Sequence, residues 1–399
     1  MNSLQPSAFN LAPPPTLQWQ PVQTTNFIAV AGRAYPCNTT SVAFTVTLPT
    51  NPSSGDQVLI TDYAGTWNTN PITISPSSGK IYGGTGNLIS STQRGAISFV
   101  YVDSTQGWIT SSGLSASPFL PAPSTVEYLI IGGGGGANAG NDGGGGAGGY
   151  RTSASLSVSQ GVSYTLTVGG GGSGLVGPSP ATSGSASSMS GPAPFTTISS
   201  AGGGLSATAG GSGGGGTSFP PNEGGAGNTP ATTPSQGNNG GSGNGGVAPG
   251  YTGGGGGGAG GVGGNGTSTT GGAGGPGSAS TITGPSVTYA GGGGGASRNG
   301  TGFGGAAGSG GGGAGGGSSA ENGGAGSPNT GGGGGAGGFT APNAANGGNG
   351  GSGVIIIAYP NTYANIASIG AGLTSTLDTT TRSGYKVYTF TAGTGTISW

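Results

Sequence analysis

Histidine is absent from the 399-residue chain, and Cys37 is its one cysteine. The first absence removes the usual general base and the commonest metal ligand. The second leaves no disulfide framework and no cysteine-based zinc site. Charge is scarce too: Asp, Glu, Lys and Arg make up 4% of residues and sum to −1, against about 25% in ordinary globular domains. Such a chain has no basic footprint for nucleic acid or anionic lipid. No apolar run approaches the roughly 18 residues that cross a bilayer, so neither nucleic-acid binding nor membrane insertion is expected. Met1-Asn2-Ser3-Leu4-Gln5-Pro6 lacks the basic and apolar pattern of a secretory signal. With these donors missing, no cofactor and no metal is expected.

Glycine is what the chain has instead, 104 residues of it. Residues 1–131 hold 10 and residues 354–399 hold 5, leaving 89 within residues 132–353. An N-terminal part and a short C-terminal part of near-ordinary composition thus flank a glycine-rich middle.

The N-terminal part reads as all-β. Val42, Phe44, Val46 and Leu48 alternate with Ala43, Thr45 and Thr47, the period of a half-buried strand. Pro49 and the turn cluster Asn51-Pro52-Ser53-Ser54-Gly55 end that run. Further strands are predicted at Gln57–Thr61, Ile72–Ser75, Lys80–Tyr82, Ala96–Val102 and Gly107–Thr110. Short strands at this spacing suggest a small sandwich or roll over residues 26–113. Residues 1–25, with Pro13-Pro14-Pro15, form either a disordered arm or an extended docking segment. Residues 114–125 read as a stiff Pro-rich linker.

Three readings compete for the glycine-rich part. Collagen needs glycine at every third position, whereas here the runs are contiguous: Gly132–Gly136, Gly143–Gly146, Gly169–Gly172, Gly213–Gly216, Gly253–Gly258, Gly291–Gly295 and Gly331–Gly335. A flexible linker suits the composition but not the boundaries. The segment is entered through Thr125–Ile131 and left through Val354–Tyr359, both strand-prone, and it holds two more strand patterns at Leu156–Val158 and Tyr164–Val168. The third reading is a packed array of polyglycine II helices. These make no internal hydrogen bonds, so their backbone groups need partners in neighbouring runs. Many runs of similar length are what such an array requires. The expected fold is therefore all-β: a small N-terminal sandwich or roll, a polyglycine II array with flanking strands over 126–358, and a C-terminal β segment over 359–399.

Segments rich in Ser, Thr, Asn and Pro separate the runs and serve as turns at the scaffold's ends. Phe195, Phe219, Tyr251, Tyr289, Phe303 and Phe339 lie in or beside them, with Glu223 and Arg298. These eight are the candidate receptor-binding residues. Aromatic groups among Ser, Asn and Gly make adaptable recognition surfaces; covering the array's ends is the alternative role. Tyr150 and Tyr164 adjoin strand patterns and are expected to be packed. Trp19, Trp67, Trp108 and Trp399 lie outside the glycine-rich part, and read as core or subunit contacts rather than sugar platforms.

Catalytic motifs fare poorly. Gly210-Gly211-Ser212-Gly213-Gly214 fits a nucleophile elbow, but no histidine exists to serve it. Windows of the G-x-G-x-x-G type occur without a βαβ unit. A carboxylate pair could hydrolyse glycosides, with Glu223 and Glu321 as the candidates in loops. No enzymatic activity is expected.

Val126–Ile131 followed by Gly132–Gly136, then Gly143-Gly144-Gly145-Gly146-Ala147-Gly148-Gly149-Tyr150-Arg151, resembles the opening of glycine-rich tail-fibre adhesins of bacteriophages. Tyr164–Gly170 and the exit Gly350–Ile356 match the same pattern. The stretch from Ala34-Tyr35 through Thr47-Leu48-Pro49, Gly55-Asp56, Asp62-Tyr63 and Asn70 to Tyr101 and Trp108 resembles a β module of phage tail-fibre proteins. The resemblance implies a virion protein whose polyglycine II sandwich carries loops to a host cell-surface receptor, a polysaccharide or an outer-membrane protein. It also implies docking to other tail proteins through the N-terminus, and a homotrimer. The β module and the C-terminal segment Gly384–Trp399 depart from compact tip adhesins, which points to a complete short fibre. A purely structural virion protein, without receptor contact, is the competing expectation.

Overall fold

The computed structural model describes residues 17–110, 122–140, 142–176, 179–245, 250–298 and 302–399. It is all-β, without a helix among these residues. The chain divides into two compact units, Met1–Ala122 and Pro123–Trp399.

The first unit has nine strands: β1 (Gln18–Trp19), β2 (Phe27–Ile28), β3 (Arg33–Cys37), β4 (Thr45–Thr47), β5 (Gln57–Asp62), β6 (Ile72–Ser75), β7 (Leu88–Ser90), β8 (Ala96–Asp103) and β9 (Gly107–Thr110). They form two sheets, β1-β3-β5-β8-β9 and β2-β4-β6-β7. From β1 to β6 the chain changes sheet at every strand, so neighbours such as β3 and β5, or β4 and β6, run parallel. Parallel pairing needs a crossover, and here a strand of the opposite sheet provides it. Alternation then places Val46, Val58, Ile60, Ile74, Ile97 and Phe99 in one core between the sheets, with Trp67 and Trp108.

Asp62 ends the inward row of β5. Its carboxylate accepts hydrogen bonds from the backbone N–H groups of Gly65, Thr66, Trp67 and Arg94. A buried acid is tolerable only with such partners, and these shape the turn that delivers Trp67. The stretch Lys80–Tyr82 does not form the strand its sequence suggests; only Ile81 makes isolated bridges, to Gly84 and Trp108. Positive φ angles at Tyr82 and Gly83 turn the chain away at once.

In the second unit the strands are β10 (Thr125–Ile131), β11 (Tyr150–Ser157), β12 (Tyr164–Thr167), β13 (Ser187–Ser190), β14 (Ile198–Ser200), β15 (Tyr251–Thr252), β16 (Ser278–Ser280), β17 (Val287–Tyr289), β18 (Ser297–Arg298), β19 (Phe339–Thr340), β20 (Asn343–Ala344), β21 (Val354–Pro360), β22 (Ser368–Ile369), β23 (Leu373–Asp378) and β24 (Tyr385–Ser398). The main sheet has the order β11-β10-β21-β24-β12-β13-β14, with β22 and β23 also on β24. Residues 359–399 thus supply its longest strand, between β21 and β12. Leu129, Ile131, Val354, Ile356 and Ala358 pack with Ala147, Tyr289 and Ala290, joining the sheet to the glycine array.

The array follows a three-residue rule. Gly132 and Gly135 donate to Gly149 and Gly146, Gly133 and Gly136 to Ser185 and Thr182, and Gly134 and Ala137 to Gly351 and Gly348. Each residue therefore bonds to a different neighbouring run, and the neighbour recurs at every third residue. Gly253 and Gly256 donate to Ala296 and Gly293, Gly254 and Gly257 to Gly216 and Gly213, and Gly255 and Gly258 to Gly264 and Gly261. The runs touch backbone to backbone: a Cβ built on Gly293 would lie 2.0 Å from the Gly334 carbonyl oxygen. Three five-glycine runs each end in alanine, and Ala137, Ala296 and Ala336 meet in a small buried cluster.

The bonding also gives each run a direction. Residues 132–137 leave β10, and 143–149 return antiparallel to β11. Residues 253–258 run parallel to 144–147, and 290–296 run antiparallel to 253–259. Residues 333–336 run parallel to 291–294. The array accordingly has a sheet end and a distal end, and Tyr251, Ser297 and Phe339 all fall at the distal one.

Candidate recognition site

The distal end is closed by a small sheet of order β15-β18-β19-β20. Its strands are the first or last residues of glycine runs, so register within the array decides which side chains meet there. Tyr251 pairs with Arg298, and Arg298 with Phe339. The Arg298 guanidinium carbon lies 4.5 Å from the Phe339 ring centroid and 5.3 Å from that of Tyr251. Phe219 adds a further ring, 5.4 Å from Tyr251 and tilted by 40°. The result is a row, Phe219–Tyr251–Arg298–Phe339, in which a cation is held over aromatic faces.

Other loops extend the row. Thr252 Oγ1 donates to the Thr267 carbonyl, and Phe303 N donates to the Thr269 carbonyl. Phe219 is 45% exposed and Phe303 71%, both high for phenylalanine. Among the described residues the buried Arg298 Nε has no hydrogen-bond partner. Glu223 is exposed in the loop that follows Phe219. Glu321 accepts from Gly317 N through Oε2 at 3.3 Å. Asp142, beside the distal end of run 143–149, has its carboxyl pKa raised by burial, partly offset by a hydrogen bond from the Asn138 side chain.

Two of the eight candidate residues lie elsewhere. Tyr289 is 7% exposed, in the core at the sheet end. Phe195 packs edge-on against Tyr164 with centroids 5.1 Å apart, beside the main sheet. The other six gather at the distal end. Tyr164 is buried and Tyr150 packs against the sheet-end core, while Trp67, Trp108 and Trp399 are buried and Trp19 is 63% exposed. Sequence spacing could not reveal the Arg298 arrangement, because its ring partners lie in other runs. Among the described residues no group of His, Cys, Asp and Glu is placed to hold a metal ion.

The chain thus joins a β-sandwich unit to a unit whose interior is packed glycine backbone. A family model described as a glycine-rich domain matches residues 110–360, and the chain belongs to that family. The model described as bacteriophage T4 gp9/10-like protein, N-terminal, matches residues 8–112. With both matches the chain is a bacteriophage virion component with a glycine-rich domain. No curated protein matches it.

Proposed function

We propose that the protein attaches the virion to a host cell, contacting a surface polysaccharide or outer-membrane protein through the distal end of the glycine array. The observation that carries this reading is the convergence of Phe219, Tyr251, Arg298 and Phe339 in one row, with Phe303 and Glu223 exposed nearby. Exposed aromatics and an arginine on a rigid frame are the usual energetic centres of recognition surfaces. In this reading Tyr289 and Phe195 are structural.

The runs are polyglycine II helices on this proposal. Their three-residue bonding period fits a helix of three residues per turn without internal hydrogen bonds. The role is binding rather than catalysis. Residues 1–25 dock to other tail proteins, for which Trp19 offers an exposed anchor, and residues 26–113 trimerise. Exposed Ile28, Val30 and Val42 support that contact.

Adsorption of the purified protein to permissive cells tests the reading. Phe219→Ser with Phe303→Ser should reduce it at least roughly tenfold, given typical anchor energies. Unchanged adsorption would leave a purely structural virion role. A solution mass corresponding to monomer would remove the trimer alone.

A further inference from the structure

The second unit has four cationic side chains: Arg151, Arg298, Arg382 and Lys386. Arg382 is paired with Glu127 at 2.8 Å and lies over the Tyr385 ring. Lys386 donates to the Tyr363 carbonyl at 2.6 Å, and Arg298 is held between rings. Arg151 is different. It is half-buried on β11, the edge strand of the main sheet, and has no acidic partner among the described residues. It lines a cleft of about 460 Å³ with Tyr128, Tyr150, Ser153 and the segment Thr233–Ser235.

The cleft's outer wall is prebuilt. Asn228 Oδ1 accepts from Thr232 N, Thr232 Oγ1 and Gln236 N. Gln236 is 1% exposed; its Nε2 donates to the Pro230 carbonyl and its Oε1 accepts from Ala201 N. The Gln236 carbonyl in turn accepts from Tyr150 N at 2.8 Å, which ties the wall to the first residue of β11. A wall fixed before binding leaves less ordering cost for a ligand to offset.

We propose that this cleft binds a short acidic saccharide, a uronate segment whose carboxylate is held by Arg151. An arginine fork suits a carboxylate. The half-buried Tyr150 ring offers an apolar face to ring C–H groups, and Ser153, Thr233 and Ser235 add hydroxyls at the rim. The volume lies within the range of small-molecule sites. The proposal does not require the distal end to contact a receptor, since the cleft flanks the sheet.

Calorimetric titration of the full chain with oligogalacturonate tests it, beside a neutral maltooligosaccharide of equal length and inorganic phosphate. Oligogalacturonate should bind, the neutral oligomer far more weakly. Arg151→Gln should weaken the uronate by roughly tenfold or more, the loss of a charged hydrogen-bonding group. Ser235→Trp, which fills the cleft from an exposed position, should block binding without removing the charge, while Phe219→Ser with Phe303→Ser should leave it unchanged. Absent binding, equal affinity for the neutral oligomer or for phosphate, or indifference to both cleft variants would overturn the assignment. Loss of cell adsorption in the distal variant with uronate binding intact separates the two sites.

Discussion

The two units bury their interiors by opposite means. In the sandwich, side chains of alternating strands fill the space between sheets, with Phe99, Trp67 and Trp108 at the centre. In the array, neighbouring backbones fill it, and Gly132–Gly136 are buried without any side chain. A net hydrogen bond contributes about 0.5–1.5 kcal/mol, while ordering a residue costs about 1–2 kcal/mol. A glycine run therefore holds only when other runs surround it and weak Cα–H···O contacts add to the balance. One interior is sensitive to atoms removed, the other to atoms added.

The largest expected effect is in the array. Gly293→Val puts a branched side chain where even a Cβ meets the Gly334 carbonyl oxygen at 2.0 Å, with backbone rather than a yielding side chain on the other side. The cost should reach the extreme for single substitutions, about 4–5 kcal/mol. Denaturant unfolding should show the glycine unit's transition lost or far lowered, and the sandwich transition unmoved. Two shifted transitions would mean that the units are not independent.

Next comes Phe99→Ala in the sandwich, expected to cost about 3–4 kcal/mol by the same measurement, with the glycine unit unaffected. Its mirror is Ala296→Gly, a truncation inside the array. Only one methyl leaves the Ala137–Ala296–Ala336 cluster, so the cost should be about 1 kcal/mol. A loss as large as that of Phe99→Ala would contradict a backbone-built interior.

The smallest effect concerns charge. Burial raises the Asp142 carboxyl pKa, so the folded state favours the protonated form. The stability this group contributes is present below its unfolded pKa and is lost as pH rises through the folded value. Asp142→Asn should remove that decline, leaving the variant the more stable protein at neutral pH. The check is the glycine unit's denaturation midpoint from mildly acidic to neutral pH. A variant less stable than wild type at pH 7 would show that Asp142 has an ionised partner.

Much of the fold was legible locally. Ile72–Ser75, Gly107–Thr110 and Thr125–Ile131 are strands at the bounds their alternation and turn signals indicate. Lys80–Tyr82 has strand-type residues but no strand, because Tyr82 adopts a positive φ that no periodicity reports. At the candidate site, residue types were legible but their grouping was not. Tyr289 and Tyr251 have similar sequence surroundings, yet one begins a run at the sheet end and the other begins a run at the distal end. Arg151 carries no site signal in the sequence because its cleft partners Thr233–Ser235 come from a distant loop.

By itself the sequence determined that this chain is all-β, that its glycine-rich part is bounded by strands, and that its interior there must be backbone. Those properties follow from local sterics, side-chain periodicity and the absence of side chains to pack. Only the tertiary structure decided which runs are neighbours, which way each one points and which loops therefore share an end. A glycine run carries no side chain to name its partner, so direction and neighbour are set by hydrogen bonds across the assembled array.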